Sequence, residues 1–521
     1  MSYPFGSLHP MGEHPETKEI TENSRCPVDT YAGRLHVEWD PQAAVTPLGQ
    51  LPFFIEFLKT TKLFDELVKE CPLKFTSNSA SNVRDILGSM LLSVLSGHTR
   101  YSHLNALRGE KINAELLGME KIVSEDVVRR SLLGMDESQS TLWLENNLKK
   151  CYESLLSIPW ILDLDATVKP LYGKQEGADI GYNPTKPGRP AHIYHSYFIA
   201  NIRFALNVDV QSGKKISGCY SMPGLWKLLE SIPKDQWPQF IRGDVSYGTE
   251  RIMSESELRD VKYLFKLKCS NKIKALIKHN MEKNADWEKA GHGYEGVEDT
   301  IQLQGWSCPR RVIILRRRIA NRDVGVLKKE GLSNQLKQIT FDFAQIDNKT
   351  IAYEYAVLVT NLDNEIVTLA QHYRDRGDSE NNFDELKNQW GWCGFTTRDL
   401  KRCNIIGKFI ALIYDWWNIF VRLIDPNSHR EATTSRPLLL NAVGKLTQHG
   451  RQKILTITST HAKIEKITKI LTVISSFFKS LQQTAEQLTS VAILKQITEV
   501  AFRKFFNTGN KSLPKVLPAP A

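Results

Sequence analysis

Three acids stand out by their setting in the chain rather than by their type. Asp165 ends the run Trp160-Ile161-Leu162-Asp163-Leu164-Asp165, which alternates apolar and acidic residues as a β-strand does. Asp244 ends a second short strand, Phe240-Ile241-Arg242-Gly243-Asp244, and is followed by the turn-like Val245-Ser246-Tyr247-Gly248. Glu380 falls in Tyr373-Arg374-Asp375-Arg376-Gly377-Asp378-Ser379-Glu380. Acids at the ends of adjacent strands, with a third on a helix packed across them, can hold two divalent cations. Mg²⁺ favours a few carboxylates completed by water and phosphate oxygens. Two such ions about 4 Å apart activate an attacking oxygen and stabilise the leaving one in phosphoryl transfer. Taken singly, each acid reads plainly as a solvated surface group, so the chemistry lies in the set.

The residues around Glu380 add a second pattern. At about 100° per residue, Tyr373, Arg376, Glu380 and Lys387 share an arc of about 60° on a helix. One face then carries a phenol, a guanidinium, a carboxylate and an ammonium, groups that suit a nucleic-acid backbone held at a reaction centre. The plain alternative is a solvated face with charge pairs one or two turns apart. Gly377 and Asp378 are poor helix formers, so the spacing also allows a helix that begins at Asp378.

These groups need a scaffold, and the 521 residues suffice for three or four structural units. Hydrophobic residues are 41% and charged residues 24%, which permits large cores and excludes global disorder. The net charge is +10 and the pI about 9.0, a balance that favours anionic partners. Residues 430–521 hold 14 basic and 4 acidic residues, which accounts for the whole surplus. The eight cysteines are scattered without C-x-x-C spacing, which argues against a zinc module and for a reducing compartment. Met1 to Arg34 lacks the basic and apolar regions of a signal peptide. Asn404 to Ile424 is the most apolar stretch, but Lys408, Asp415 and Arg422 make it a buried helix. Secreted, membrane and collagenous classes are thereby excluded.

The patterning divides the chain into six parts. Residues 1–45 read as an extended arm and 46–157 as all-helical, with Ser81 and Asn82 as N-caps of an apolar helix and Arg129 and Arg130 on another. Residues 158–272 are mixed α/β, 273–365 rich in strands, 366–425 helical again, and 426–521 helical and basic. In the last part Lys463, Lys466, Lys469 and Lys479 flank an apolar face.

The segment Tyr373-x2-Arg376-x3-Glu380-x6-Lys387 matches the YREK signature at every position. With Asp163-Leu164-Asp165-Ala166-Thr167 and Arg242-Gly243-Asp244-x-x-Tyr247-Gly248 upstream, residues 158–425 resemble the DDE transposases of bacterial insertion sequences. The resemblance implies an α/β fold: a ribonuclease H-like core with a β-strand-rich insertion, flanked by N-terminal and C-terminal all-helical regions. It implies Asp165, Asp244 and Glu380 as catalytic residues and ligands of two Mg²⁺ ions, with Mn²⁺ as a substitute. Asp163 is a rival for the first position; Thr167, two residues after Asp165, favours Asp165.

The same likeness implies cut-and-paste transposition of double-stranded DNA, with the terminal repeats and the target as partners, a homodimer in the end complex, and a bacterial cytoplasmic location at the nucleoid. Tyr373, Arg376 and Lys387 would contact DNA. Many members open a DNA hairpin with a flipped base that stacks on an aromatic of the insertion. Trp306 is the candidate, with Arg310 and Arg311 beside it and Arg316 to Arg318 further on; Trp287 is a second. Packing of Trp306 within the sheet is the alternative. Lys174, Lys186 and Arg189, in the loop after Asp165, are further DNA candidates, and that loop lacks the order of a phosphate-binding Walker motif. His192 and His195 read as structural. A metal-dependent nuclease, or a binding protein that has lost catalysis, remains open.

Overall fold

The computed structural model describes residues 26–38, 40, 43–75, 80–283, 285–319, 344–346, 352–484 and 488–507. The chain opens with a hairpin, β1 (Cys26–Thr30) and β2 (Gly33–Val37), and a short strand β3 (Val45–Thr46). Six helices follow: α1 (Leu51–Thr61), α2 (Leu63–Lys69), α3 (Val83–Leu95), α4 (Lys111–Leu116), α5 (Glu125–Gly134) and α6 (Glu137–Tyr152). Local signals set their starts. The Asn82 side chain accepts from the Arg84 amide to cap α3, and Ser124 accepts from the Val127 amide to cap α5.

The middle of the chain builds one large sheet. Its strands are β4 (Ile161–Pro170), β5 (Asp179–Ile180), β6 (Pro190–Ile199), β7 (Phe204–Ser212), β8 (Phe240–Gly243) and β9 (Tyr263–Lys266), then β10 (Glu288–Gly291), β11 (Tyr294–Ile301), β12 (Arg310–Ile319), β13 (Ala344–Ile346) and β14 (Ala352–Thr360). The order is β10-β11-β12-β14-β9-β8-β4-β6-β5, with β7 also on β6 and β13 on β14. Helices α7 (Met222–Glu230) and α8 (Glu250–Leu258) connect the central strands, and α9 (Asn271–Glu282) precedes β10. The strand-rich segment expected over 273–365 therefore extends the central sheet through the β9–β14 pairing.

After β14 come α10 (Ile366–Arg374) and α11 (Gly377–Asn388), separated at Asp375 and Arg376. The single helical face expected to carry Tyr373, Arg376, Glu380 and Lys387 is thus split between two helices. Arg376 is the N-cap residue of the second, whose first turn holds the poor formers Gly377 and Asp378. Helix α12 (Leu400–Ile424), capped by the Asp399 side chain on the Arg402 amide, is buried over most of its length against β7 and α6. Its buried Lys408 is held by Asn207 Oδ1 at 2.6 Å, Asp209 Oδ1 at 2.9 Å and Glu145 Oε1 at 3.3 Å. Among the described residues no helix is long and apolar enough to cross a membrane.

The end of the chain departs from the all-helical expectation for 426–521. After α13 (Ala432–Leu439), strands β15 (Val443–His449) and β16 (Gln452–Thr458) form a hairpin that pairs with β3. Its turn is permitted by Gly450 at φ +61°. Helices α14 (Ile464–Thr484), α15 (Ser490–Ala501) and α16 (Arg503–Asn507) complete the chain. They pack back onto the first helices, with the Phe57 and Phe478 rings 6.3 Å apart, while α12 closes on α1 through Trp417 and Phe420, 5.3 and 5.4 Å from the Phe54 ring.

Candidate active site

The register of the sheet brings the first two acids together. β4 and β8 run parallel, with Asp163 opposite Arg242. Two residues further on, Asp165 and Asp244 are level at the C-terminal side of neighbouring strands. Asp165 Oδ1 accepts from the Ala166 amide at 2.8 Å, and Oδ2 takes a guanidinium hydrogen bond from Arg376 at 3.0 Å. Burial pushes the Asp165 carboxyl up to about 7; Arg376 opposes this, and the like charge of Asp244 adds to it. Asp244 Oδ1 is held by the Ser246 amide at 2.9 Å and the Ser246 hydroxyl at 2.6 Å, which fixes the turn after β8.

Asp163 has a different setting. Both its oxygens face the fully buried Arg242, with Nη2 to Oδ2 at 2.9 Å and a second bond from Nε. Arg242 also donates to the carbonyl of His372, which ties β8 to α10. Asp163 is thereby engaged in a buried two-pronged ion pair.

Arg376, at the break between α10 and α11, has a side chain 11% exposed. Burial lowers its affinity for a proton, but Asp165 outweighs this and holds the guanidinium firmly charged. Its Nε is buried without a hydrogen-bond partner. Further along, Lys387 Nζ donates to Thr167 Oγ1 at 3.1 Å, so α11 lies against the same strand that carries Asp165. Tyr373 is half-buried beside the small core of Phe240, Leu264 and Leu369. Glu380 lies within α11, and its side chain is outside the described residues.

The fit to metal can be judged from two of the three acids. Two carboxylates level on adjacent strands, one of them raised to about 7 by burial and like charge, form an arrangement that a divalent cation relieves. Among the described residues no group of three or more His, Cys, Asp and Glu side chains has metal-holding geometry. His192 and His195 are buried, and each donates Nε2–H to a backbone carbonyl, of Glu176 at 2.8 Å and of Lys215 at 2.7 Å.

Other sequence candidates are dispersed. One row of residues crosses the sheet from Asp163 through Arg242, Leu264 and Thr360 to Arg311. Four strand spacings of about 4.8 Å put Arg311 about 19 Å to the side of β4. Arg310 and Trp306 precede it, on the side of this row away from Asp165. Arg310 is buried in an ion-pair network with Glu250 and Glu257, and it covers the Trp306 ring at 5.2 Å. Arg311 pairs with Glu298 at 2.5 Å. Trp287, by contrast, stacks with Arg316, whose Cζ is 3.9 Å from its ring centroid, and β12 carries Arg316 to the carboxylate side of the row.

The loop after β4 continues from the same end of the strand as Asp165. Lys174 is exposed there. Arg189 and Lys186 both lie over the exposed Tyr172 ring, at 4.8 and 5.0 Å. Sequence reading missed the role of Tyr172 as the collecting ring and of Thr167 as the Lys387 partner. A tyrosine near a Lys/Arg-rich turn was the available signal for the first; the second depends on a contact 220 residues apart.

A family profile described as "Transposase DDE domain group 1" matches residues 49–478. Among solved structures, the cryo-EM structure of a piggyBac transposase synaptic complex with hairpin DNA aligns over 92% of this chain and 89% of that chain, at 11% identity and a TM-score of 0.38. No curated protein matches the chain. The family match spans most of the helical, sheet and YREK-bearing regions, and the chain belongs to the DDE transposase domain family, whose activity is the cleavage and transfer of DNA strands.

Proposed function

We propose that the chain is a cut-and-paste DNA transposase of the YREK group, and that Asp165, Asp244 and Glu380 hold two Mg²⁺ ions at its catalytic centre. The observation that carries this reading is the pair Asp165 and Asp244, level on parallel β4 and β8, with Arg376 delivered onto Asp165 from the α10–α11 break. The strand order β7-β6-β4-β8-β9, with β6 antiparallel to β4 and β8 and β9 parallel to it, supports a ribonuclease H-like core. Mn²⁺ is the expected substitute metal.

When bound, the two ions supply Lewis-acid activation of the attacking oxygen and stabilisation of the leaving one. The chain's own residues do the rest. Asp165 and Asp244 place negative charge where the ions bind. Arg376 neutralises Asp165 in the free protein and is the nearest cation to hand over to a scissile phosphate. Lys387, on the same strand face at Thr167, clamps the next phosphate, and Tyr373 orients that pair. Lys174, Lys186 and Arg189 extend the contact along the DNA from the same end of β4. In this reading residues 46–157 bind DNA or assemble the synaptic dimer, and the second strand is cut through a hairpin with Trp287 offered to the flipped base.

The test is strand cleavage of a labelled duplex carrying the DNA ends that flank the gene, in Mg²⁺ or in EDTA, read on a denaturing gel. Mg²⁺-dependent nicking followed by a slow hairpin band or a joined product is expected. Asp165→Ala and Asp244→Ala should each lower cleavage by about a thousandfold or more while end binding survives. Cutting without joining would make the protein a nuclease instead. A clear shift with no product would make it a binding protein.

A further inference from the structure

A pocket of about 540 Å³ opens where β4 begins, β6 turns into β7 and β8 starts, at the end of these strands opposite Asp165 and Asp244. Such a volume suits a small organic ligand. Its lining includes Arg203, Arg422, Lys504 and His429 and no Asp or Glu. Two of these side chains already have acidic partners: Arg203 meets Glu431 at 3.4 Å, and the His429 ring is hydrogen-bonded to Glu385 at 2.6 Å.

Arg422 makes no direct ion pair among the described residues. It is 6% exposed, and its donors reach only neutral oxygens, Asn418 Oδ1 at 3.0 Å and the Ile202 carbonyl at 3.1 Å. The Phe502 ring covers it at 4.9 Å. Asp425, three residues on, is taken by Arg430 at 2.7 Å. Burial pushes Arg422 down to about 10, Tyr414 and Asp425 opposing and Arg203 adding to the effect. A buried guanidinium without a carboxylate is costly, and this one faces a cavity. Lys504 stands exposed at the rim. The pocket backbone is also unusual, since Asn201 and Arg203 both adopt left-handed conformations, at φ +68° and +54°.

We propose that this pocket binds the phosphate ester of a nucleotide, with the phosphate at Arg422 and Lys504 and the base against the aromatic wall of Trp160, Phe502 and Phe505. A free nucleotide and the 5′-phosphorylated end of a DNA strand share this chemistry. Neither requires the catalytic carboxylates, so this site and the proposed catalytic centre stand or fall separately.

The test uses the full-length protein in EDTA. Calorimetry with dAMP and with inorganic phosphate reads the free ligand. Competition between a 5′-phosphorylated and a 5′-hydroxyl duplex of one sequence reads the DNA end. Saturable dAMP binding, tighter than phosphate, is expected, and Arg422→Met and Lys504→Glu should each weaken it about tenfold. Preference for the phosphorylated duplex, lost in both variants, would support the site with DNA as its source. Arg422→Met removes a buried unpaired charge and should fold; Lys504→Glu changes an exposed position and keeps the test open if it does not. No saturable dAMP binding together with no duplex preference would overturn the proposal. So would binding that both variants leave unchanged, or phosphate binding as tightly as dAMP.

Discussion

Asp163 and Asp165 leave the same face of one strand, so their spacing alone gives both an equal claim to the metal. The structure separates them by partner: Asp163 faces the buried Arg242, and Asp165 faces Arg376 beside Asp244. This distinction rests on the β4–β8 register, a pairing 79 residues apart that no local pattern encodes. It yields a prediction. Asp163→Asn leaves the buried Arg242 without its carboxylate partner, which should cost about 3–5 kcal/mol in denaturant unfolding; a loss of cleavage at unchanged stability would instead mark Asp163 as a ligand. Arg376→Ala predicts the reverse pattern. It removes the cation that opposes burial at Asp165, and it should lower single-turnover cleavage by about a hundredfold while end binding changes little. Arg376→Lys should recover only part, because an ammonium cannot reproduce the planar fork. Equal cleavage by the alanine variant would remove Arg376 from the site. The spacing of Tyr373, Arg376, Glu380 and Lys387 was legible; what was not legible was that a break between two helices delivers the arginine.

At the scale of elements, the arginines of the insertion show why a basic cluster is a weak guide. Arg310 reads as a phosphate contact beside Trp306, yet it pins β12 to α8. It donates to Glu250 Oε2 at 2.5 Å, to Glu257 at 2.7 and 2.9 Å, and to Ser254 Oγ at 3.2 Å. Burial would raise Glu250, but the bonds from Arg310 and Ser307 overcome it and push the carboxyl down to about 2. Its folded value lies below its ordinary value of 4.5. The stabilisation is therefore complete above about pH 4.5 and is lost as the pH falls toward about 2. Arg310→Met should destabilise the fold at pH 7, and its gap from the parent in denaturant midpoint should narrow between pH 5 and pH 3. A gap independent of pH would show that packing, not the ion pair, holds β12 to α8. Elsewhere the helices and central strands were legible because caps and periodicity agree, as at Asn82 and in the run to Asp165. The β15–β16 hairpin was not. Both its faces are largely exposed, so no alternation marks it, and the Gly450-Arg451 turn was its single local signal.

Over the whole molecule, the surplus charge is local while the packing is global. The last part of the chain carries the excess of lysine and arginine, yet it folds back onto the first helices through Phe57 and Phe478. Helix α14 buries Ile467, Leu471, Ile474 and Phe478 and leaves Lys466, Lys469 and Lys479 exposed, with Lys463 exposed in the turn just before it. Such a face either tracks a DNA backbone or is simply solvated, and salt dependence decides between them. Each phosphate neutralised on duplex DNA contributes about −0.9 to the slope of log K against log salt. If all four lysines contact phosphate, changing them together to Gln should reduce the magnitude of that slope by about 3 to 4, in a gel-shift titration on the flanking DNA ends. Because the buried face is untouched, the unfolding midpoint should stay near that of the parent. An unchanged slope would make α14 a structural cover for α1 and move the DNA-binding surface to the β4 end of the sheet, where Tyr172 gathers Lys186 and Arg189.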